Sequence, residues 1–144
     1  MPRKNKKLPR HLLVIRTSAM GDVAMLPHAL RALKEAYPEV KVTVATKSLF
    51  HPFFEGVDVD FLGAIRFARE AAELKIDAVA DMHNVLRSKM VRAALHLRGI
   101  PVSVIHKGRI EKYMRLGRGS EGVKPLKHTV IRYCDVFRRL GFDF

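Results

Sequence analysis

The sequence contains one cysteine, Cys134, no tryptophan, and only 14 acidic side chains against 27 Lys and Arg. A single cysteine excludes an internal disulfide framework and a zinc site built from cysteines, so a reducing cytoplasm is the expected compartment. With three tyrosines and no tryptophan, platforms on which nucleic-acid bases could stack are sparse. No apolar run approaches the ~20 residues that a membrane-spanning helix needs. The basic tail over 1–10, with Arg3, Lys4, Lys6, Lys7 and Arg10, resembles the start of a signal peptide. However, the apolar run behind it, Leu12 to Ile15, is stopped by Arg16, well short of the roughly 7–15 residues such a core requires. Glycine-rich nucleotide loops are missing too: neither G-x-x-x-x-G-K-[ST] nor G-x-G-x-x-G occurs.

What is present is one domain's worth of chain. Its 144 residues are 48% hydrophobic and 28% charged, a balance that excludes disorder, collagen and coiled coil. The net charge of +13 predicts an anionic partner without naming it. That charge is uneven: residues 1–84 carry 13 basic and 10 acidic side chains, whereas 85–144 carry 14 and 4. The basic tail is suited to touching an anionic membrane surface.

Strand-like and helix-like segments alternate. His11–Arg16 is an almost continuous apolar run, as in a strand buried on both faces. The small-residue loop Thr17–Gly21 follows, and Asp22 opens a helix whose Val23, Leu26, Leu30, Leu33 and Tyr37 form one apolar stripe. Pro27 falls in its first turns and Pro38 ends it. Lys41–Thr46 and Val57–Leu62 are predicted strands, separated by an aromatic turn of helix from Phe50 to Phe54 that Gly56 closes. A helix over Ala64–Lys75, a strand over Asp77–Met82 and a helix over Val85–Arg98 come next, the last with Leu86, Met90, Ala94 and Leu97 inward. Val102–Ile105 is a fifth strand. A basic loop over Lys107–Gly119 and a linker over Glu121–Lys127 lead to a final amphipathic helix, Thr129–Leu140. There Val130, Cys134 and Phe137 share a face, and Gly141 is the stop. The connections are too long for hairpins, so the pattern predicts an α/β fold with a Rossmann-like, doubly wound parallel sheet.

In such sheets ligands bind beyond the carboxyl ends of the strands. The turn Thr17-Ser18-Ala19-Met20-Gly21-Asp22 is therefore the first candidate site, its small residues open to close approach and its helix start open to an anion. Asp22 carries two readings. As an N-cap it satisfies an orphan N–H; as a general base it takes a proton from a substrate hydroxyl. Spacing alone does not separate them.

The stretch LLVIRTSAMGDVAMLPHALRALKEAYPEVKVTVAT resembles the start of the ADP-heptose:lipopolysaccharide heptosyltransferases. DAVADMHNVLRSKM is similar to the family's later strand and Arg-Ser helix, and YCDVFRRLG to the helix that closes its N-terminal domain. The likeness runs from about Leu12 to Gly141. It implies the N-terminal half of a GT-B architecture: a basic tail over 1–10, then an acceptor-binding domain over 11–144, with the nucleotide-sugar domain absent. The family's members are more than twice as long as this chain, so no transfer is expected from it alone. By the same resemblance, Asp22 is the general base that activates an acceptor hydroxyl for inverting attack on the heptose. Ser18, Met20 and Gly21 lie near the transferred sugar or its diphosphate. No metal or resident cofactor is implied, and the ADP-sugar enters as co-substrate.

An acceptor rich in carboxylates and phosphates accounts for the basic second half. Lys47, His83, Arg87, Ser88, Lys107 and Arg109 are the candidate acceptor contacts. Arg87 is able to grip a carboxylate or phosphate with two parallel bonds, or to be a solvated helix charge. His83 either hydrogen-bonds acceptor sugar or is a satisfied structural histidine, and Asp81 caps or orients its neighbours. The implied partners are an anionic lipopolysaccharide core, the missing domain and the cytoplasmic face of the inner membrane. A basic nucleic-acid-binding α/β domain is the rival reading. It lacks helix-turn-helix, zinc-finger and KH signatures. A small stand-alone regulatory domain is the third.

Overall fold

Five short runs of aliphatic and β-branched residues pair into one all-parallel sheet. They are β1 (His11–Ile15), β2 (Lys41–Ala45), β3 (Asp60–Leu62), β4 (Ala78–Asp81) and β5 (Val102–Val104), in the order β3-β2-β1-β4-β5. The computed structural model describes residues 8–17, 19–62, 75–83, 86–105 and 124–144. The predicted helix over 64–75, apart from Lys75, and the basic loop over 107–119 lie outside them, as does the basic tail up to residue 7.

Alternation along the central strands divides the core in two. Leu12 and Val14 of β1 join Val42, Val44, Ala78 and Ala80 on one face, under α1 (Met20–Ala36) and the final helix. Leu13 and Ile15 join Ala45 and Val79 on the other, with Leu95 of α2 (Leu86–His96). Cover on both faces is why these strands read as unbroken apolar runs, and it makes the sheet doubly wound. The apolar stripe of α1 is as expected, with Val23, Leu26, Leu30 and Leu33 buried. Pro27, however, lies two turns into α1, where it has no N–H to give the carbonyl of Val23.

Other boundaries move for local reasons. The third strand begins at Asp60, not Val57, because the turn after the 3-10 helix Ser48–Phe54 continues through Gly56 (φ +81°) and bonds Val57 N–H to the Phe54 carbonyl at 2.9 Å. Asp77 precedes β4 and accepts the Arg10 and His11 N–H groups at 2.8 Å each, which ties the start of β1 to β4. The predicted linker over Glu121–Lys127 is corrected at its end. The last helix, α3, runs Lys124–Arg139 with Pro125 at its second position, where a missing N–H costs little. Tyr133, Cys134, Val136 and Phe137 of α3 are buried against α1 and the sheet. Gly141, at φ +107°, ends the turn beyond it. The last residues are held down by Tyr37, whose hydroxyl accepts the Asp143 N–H at 2.8 Å.

The largest correction concerns α2. Three of its four predicted inward residues face out: Met90 is 67% exposed and Leu97 88%, and Ala94 is exposed as well, while the side chain of the fourth, Leu86, lies outside the described residues. Among its described side chains, Ser88 and Leu95 are enclosed, while Arg92 reaches the fully buried Asp81 at 3.2 Å. The side of α2 turned to the sheet thus carries an ion pair to a buried carboxylate, and an apolar side chain in its place would cost that carboxylate one of its partners.

Candidate functional site

The strand order reverses between β1 and β4, the switch point at which open parallel sheets carry their ligand crevice, at the carboxyl edge. Met82 N–H bonds to the Ile15 carbonyl at 2.9 Å and continues the ladder to the rim. Beyond it stand Arg16 and Thr17 from β1, and Met82 and His83 from β4.

Arg16 organises this edge. It is 8% exposed; one terminal nitrogen donates to the Met82 carbonyl at 2.8 Å and the other to Asp22 Oδ2 at 2.6 Å. Asp22 is therefore not the N-cap. Helix α1 begins two residues earlier, with Ala19 at the cap and no side-chain cap bond. The carboxylate is instead fixed by the guanidinium, and remains 45% exposed. Its Oδ1 has no partner among the described residues, so one oxygen is anchored and the other is open.

Two further contacts set the crevice. Thr17 donates its backbone N–H to His83 Nδ1 at 3.3 Å, and its hydroxyl lies 2.8 Å from the same nitrogen. His83 N–H in turn donates to Asp81 Oδ1 at 3.0 Å. From 111 residues away, the buried Tyr133 hydroxyl donates to the Asp22 carbonyl at 2.9 Å and pins the first turn of α1. Burial, chiefly, pushes the Tyr133 phenol well above its ordinary range, and Asp22 adds to the rise, while Arg16 opposes it.

The start of α1 is open. Its first intrahelical bond joins Val23 N–H to the Ala19 carbonyl at 2.9 Å, so the N–H groups of Met20, Gly21 and Asp22 have no intrahelical partner. A Cβ added at Gly21 meets nothing within 4 Å, so the fold does not need a glycine there, although close approach of a ligand would. Two buried polar atoms on neighbouring strand ends, Arg16 Nε and Thr46 Oγ1, also lack partners among the described residues.

The predicted site residues divide accordingly. Asp22, Met20, Gly21 and His83 come together at the crevice. Lys47 is exposed at the end of β2, one strand over. Ser88 is 1% exposed and enclosed, so it offers no hydroxyl to solvent. Arg87 is in the first turn of α2, but its side chain lies outside the described set, and Ser18, Lys107 and Arg109 lie outside the described residues. Arg16, Arg92 and Tyr133 were not among the residues the sequence pointed to. Arg16 had a signal, a charge closing a strand otherwise buried throughout. Arg92 had one in its four-residue spacing from Ser88. Tyr133 had none, since only the tertiary fold brings it to Asp22. Among the described residues, no group of three His, Cys, Asp or Glu is placed to hold a metal ion. No helix among them is long and apolar enough to cross a membrane.

The sequence matches no protein-family model and no curated protein. Solved structures do resemble it. A glycosyl transferase family 9 protein from Veillonella parvula superimposes with a TM-score of 0.62 at 16% identity, covering 93% of this chain and 42% of its own. The heptosyltransferase WaaC of E. coli with ADP gives a TM-score of 0.58 at 25% identity, covering 92% of this chain and 48% of that one. The same enzyme with ADP-2-deoxy-2-fluoro heptose gives 0.53 at 20% identity, covering 92% and 49%. The chain thus has the fold of a region of these glycosyltransferases, and spans about half their length or less.

Proposed function

We propose that this chain is the acceptor-binding half of a GT-B glycosyltransferase that moves a heptose, or a related sugar, from an ADP-sugar to an anionic lipopolysaccharide inner-core acceptor. The observation that carries the reading is the Asp22 carboxylate at the β1–β4 switch point, anchored through Oδ2 by buried Arg16 and open at Oδ1. The similarity to a heptosyltransferase with ADP supports the choice of chemistry.

In this mechanism Asp22 Oδ1 takes the proton of an acceptor hydroxyl as that oxygen attacks the anomeric carbon. The bond from that carbon to the diphosphate breaks with inversion, and ADP leaves with the bonding electrons. Arg16 holds the carboxylate still, so little rearrangement accompanies proton transfer. The unpaired N–H groups of Met20 and Gly21 face the sugar or its diphosphate. Lys47 and Arg87 supply positive charge for the acceptor, with His83 holding the Thr17 loop in place.

The test has two parts. The chain alone is expected to bind inner-core oligosaccharide in a calorimetric titration and to give no sustained transfer from ADP-heptose. In an enzyme that joins this chain to its nucleotide-sugar domain, Asp22→Asn lowers kcat by about 10²–10⁴ and leaves acceptor KM nearly unchanged. Full activity in that variant removes Asp22 as the base. Sustained turnover by the chain alone removes the half-enzyme reading. Tight, salt-sensitive binding to mixed-sequence oligonucleotides with no oligosaccharide binding transfers the case to a nucleic-acid module.

A further inference from the structure

The outward turn of α2 leaves an apolar stripe that nothing in the described residues covers. Met90 and Leu97 are 67% and 88% exposed. They stand seven residues apart with the exposed Ala93 and Ala94 between them, so all four share one side of the helix. Among the described side chains of the helix and the turn after it, the charges that flank the stripe are basic. Lys89 lies on its flank, Arg98 follows Leu97 in the turn beyond, both are exposed, and the helix contains no acidic residue. An apolar stripe flanked by cations of its own helix and turn matches a helix lying in a membrane interface.

We propose that the outer face of α2 docks on an anionic lipid surface, with Met90 and Leu97 entering the headgroup–acyl boundary and Lys89 and Arg98 meeting lipid phosphates. Charge decides between occupants. A second copy of a chain with net charge +13 would bring like-charged flanks together, while anionic lipid neutralises them. The inner side of the same helix serves the crevice, since Arg92 pairs with Asp81, which also accepts the His83 N–H. A bilayer under α2 therefore lies along the element that borders the proposed acceptor site. The docking surface rests on exposure and charge alone and requires neither a sugar nor Asp22.

The absence of tryptophan makes the test direct. The full chain carrying Leu97→Trp is titrated with vesicles of phosphatidylcholine containing phosphatidylglycerol, and with pure phosphatidylcholine. The expected result is a blue-shifted emission, quenched by brominated acyl chains, with the anionic vesicles only. Leu49→Trp, an exposed site (76%) on the 3-10 helix after β2, stays water-like. The double variant Met90→Gln/Leu97→Gln, which leaves every charge in place, weakens flotation with anionic vesicles by roughly tenfold or more. Asp22→Asn floats as the parent does, so vesicle binding and sugar transfer fail independently. Unaltered flotation of the double variant, no flotation of the parent, or parent self-association that the double variant abolishes without any lipid binding would each overturn the proposal. Far-UV circular dichroism and thermal unfolding establish that the variants are folded.

Discussion

At the scale of single residues, the site depends on groups whose partners are distant in sequence. Asp22 looks like a helix cap when only its neighbours are considered, because the small-residue turn stands just before it. Arg16, six residues away, removes it from that role by taking Oδ2 at 2.6 Å. Tyr133 adds a restraint on the Asp22 backbone and makes a prediction. Its phenol has an ordinary value of 10.0 and is held protonated in the fold above that, mainly by burial. The Cys134 thiol, ordinarily 9.0, is likewise pushed up by burial, with Asp135 adding and Arg138 opposing. The unfolded chain therefore loses these protons first. Their stabilisation is complete below about pH 9 and declines as pH rises, with a limiting slope of about 1.4 kcal/mol per pH unit for each group. Urea midpoints measured from pH 8 to 11 are expected to fall for the parent, and to fall less steeply for Tyr133→Phe. Parallel curves would remove Tyr133 as the cause. Tyr133→Phe itself costs about 1 kcal/mol at neutral pH, for one buried hydrogen bond.

Elements differ in how far their own sequence fixes their orientation. Helix α1 buries the stripe its spacing predicts, since sheet and final helix both offer apolar surface to it. Helix α2 does not: it sets an ion pair to a wholly buried carboxylate against the burial of one methionine. Arg92→Leu tests that balance. It is expected to cost about 2–3 kcal/mol in urea unfolding, less than for a fully buried pair because Arg92 keeps some exposure. Asp81→Asn added to it should recover part of the loss, through a favourable coupling between the two positions. Additive losses would mean that the pair does not set the rotation of α2. Strand boundaries shift by only one to three residues, since turn bonds such as Val57 N–H to the Phe54 carbonyl compete with the ladder at the ends alone.

Across the whole molecule, a charge of +13 on 144 residues opposes compaction by self-repulsion. Salt shortens the reach of that repulsion from roughly 30 Å at 0.01 M to 8 Å at 0.15 M. The thermal midpoint is therefore expected to rise over this range, and a flat or falling trend would show that local ion pairs, not net charge, dominate. The sequence by itself determined the parallel α/β class, because strands covered on both faces must be apolar at every position and must alternate with helices. It also marked the turn before α1, because that turn leaves the carboxyl end of a buried strand, where such sheets bind ligands. Only the tertiary structure decided which oxygen of Asp22 is free, which side of α2 faces solvent and that Tyr133 reaches the crevice. Those outcomes depend on contacts between segments tens of residues apart, and a helical or strand period records which side chains share a face but not what that face will meet.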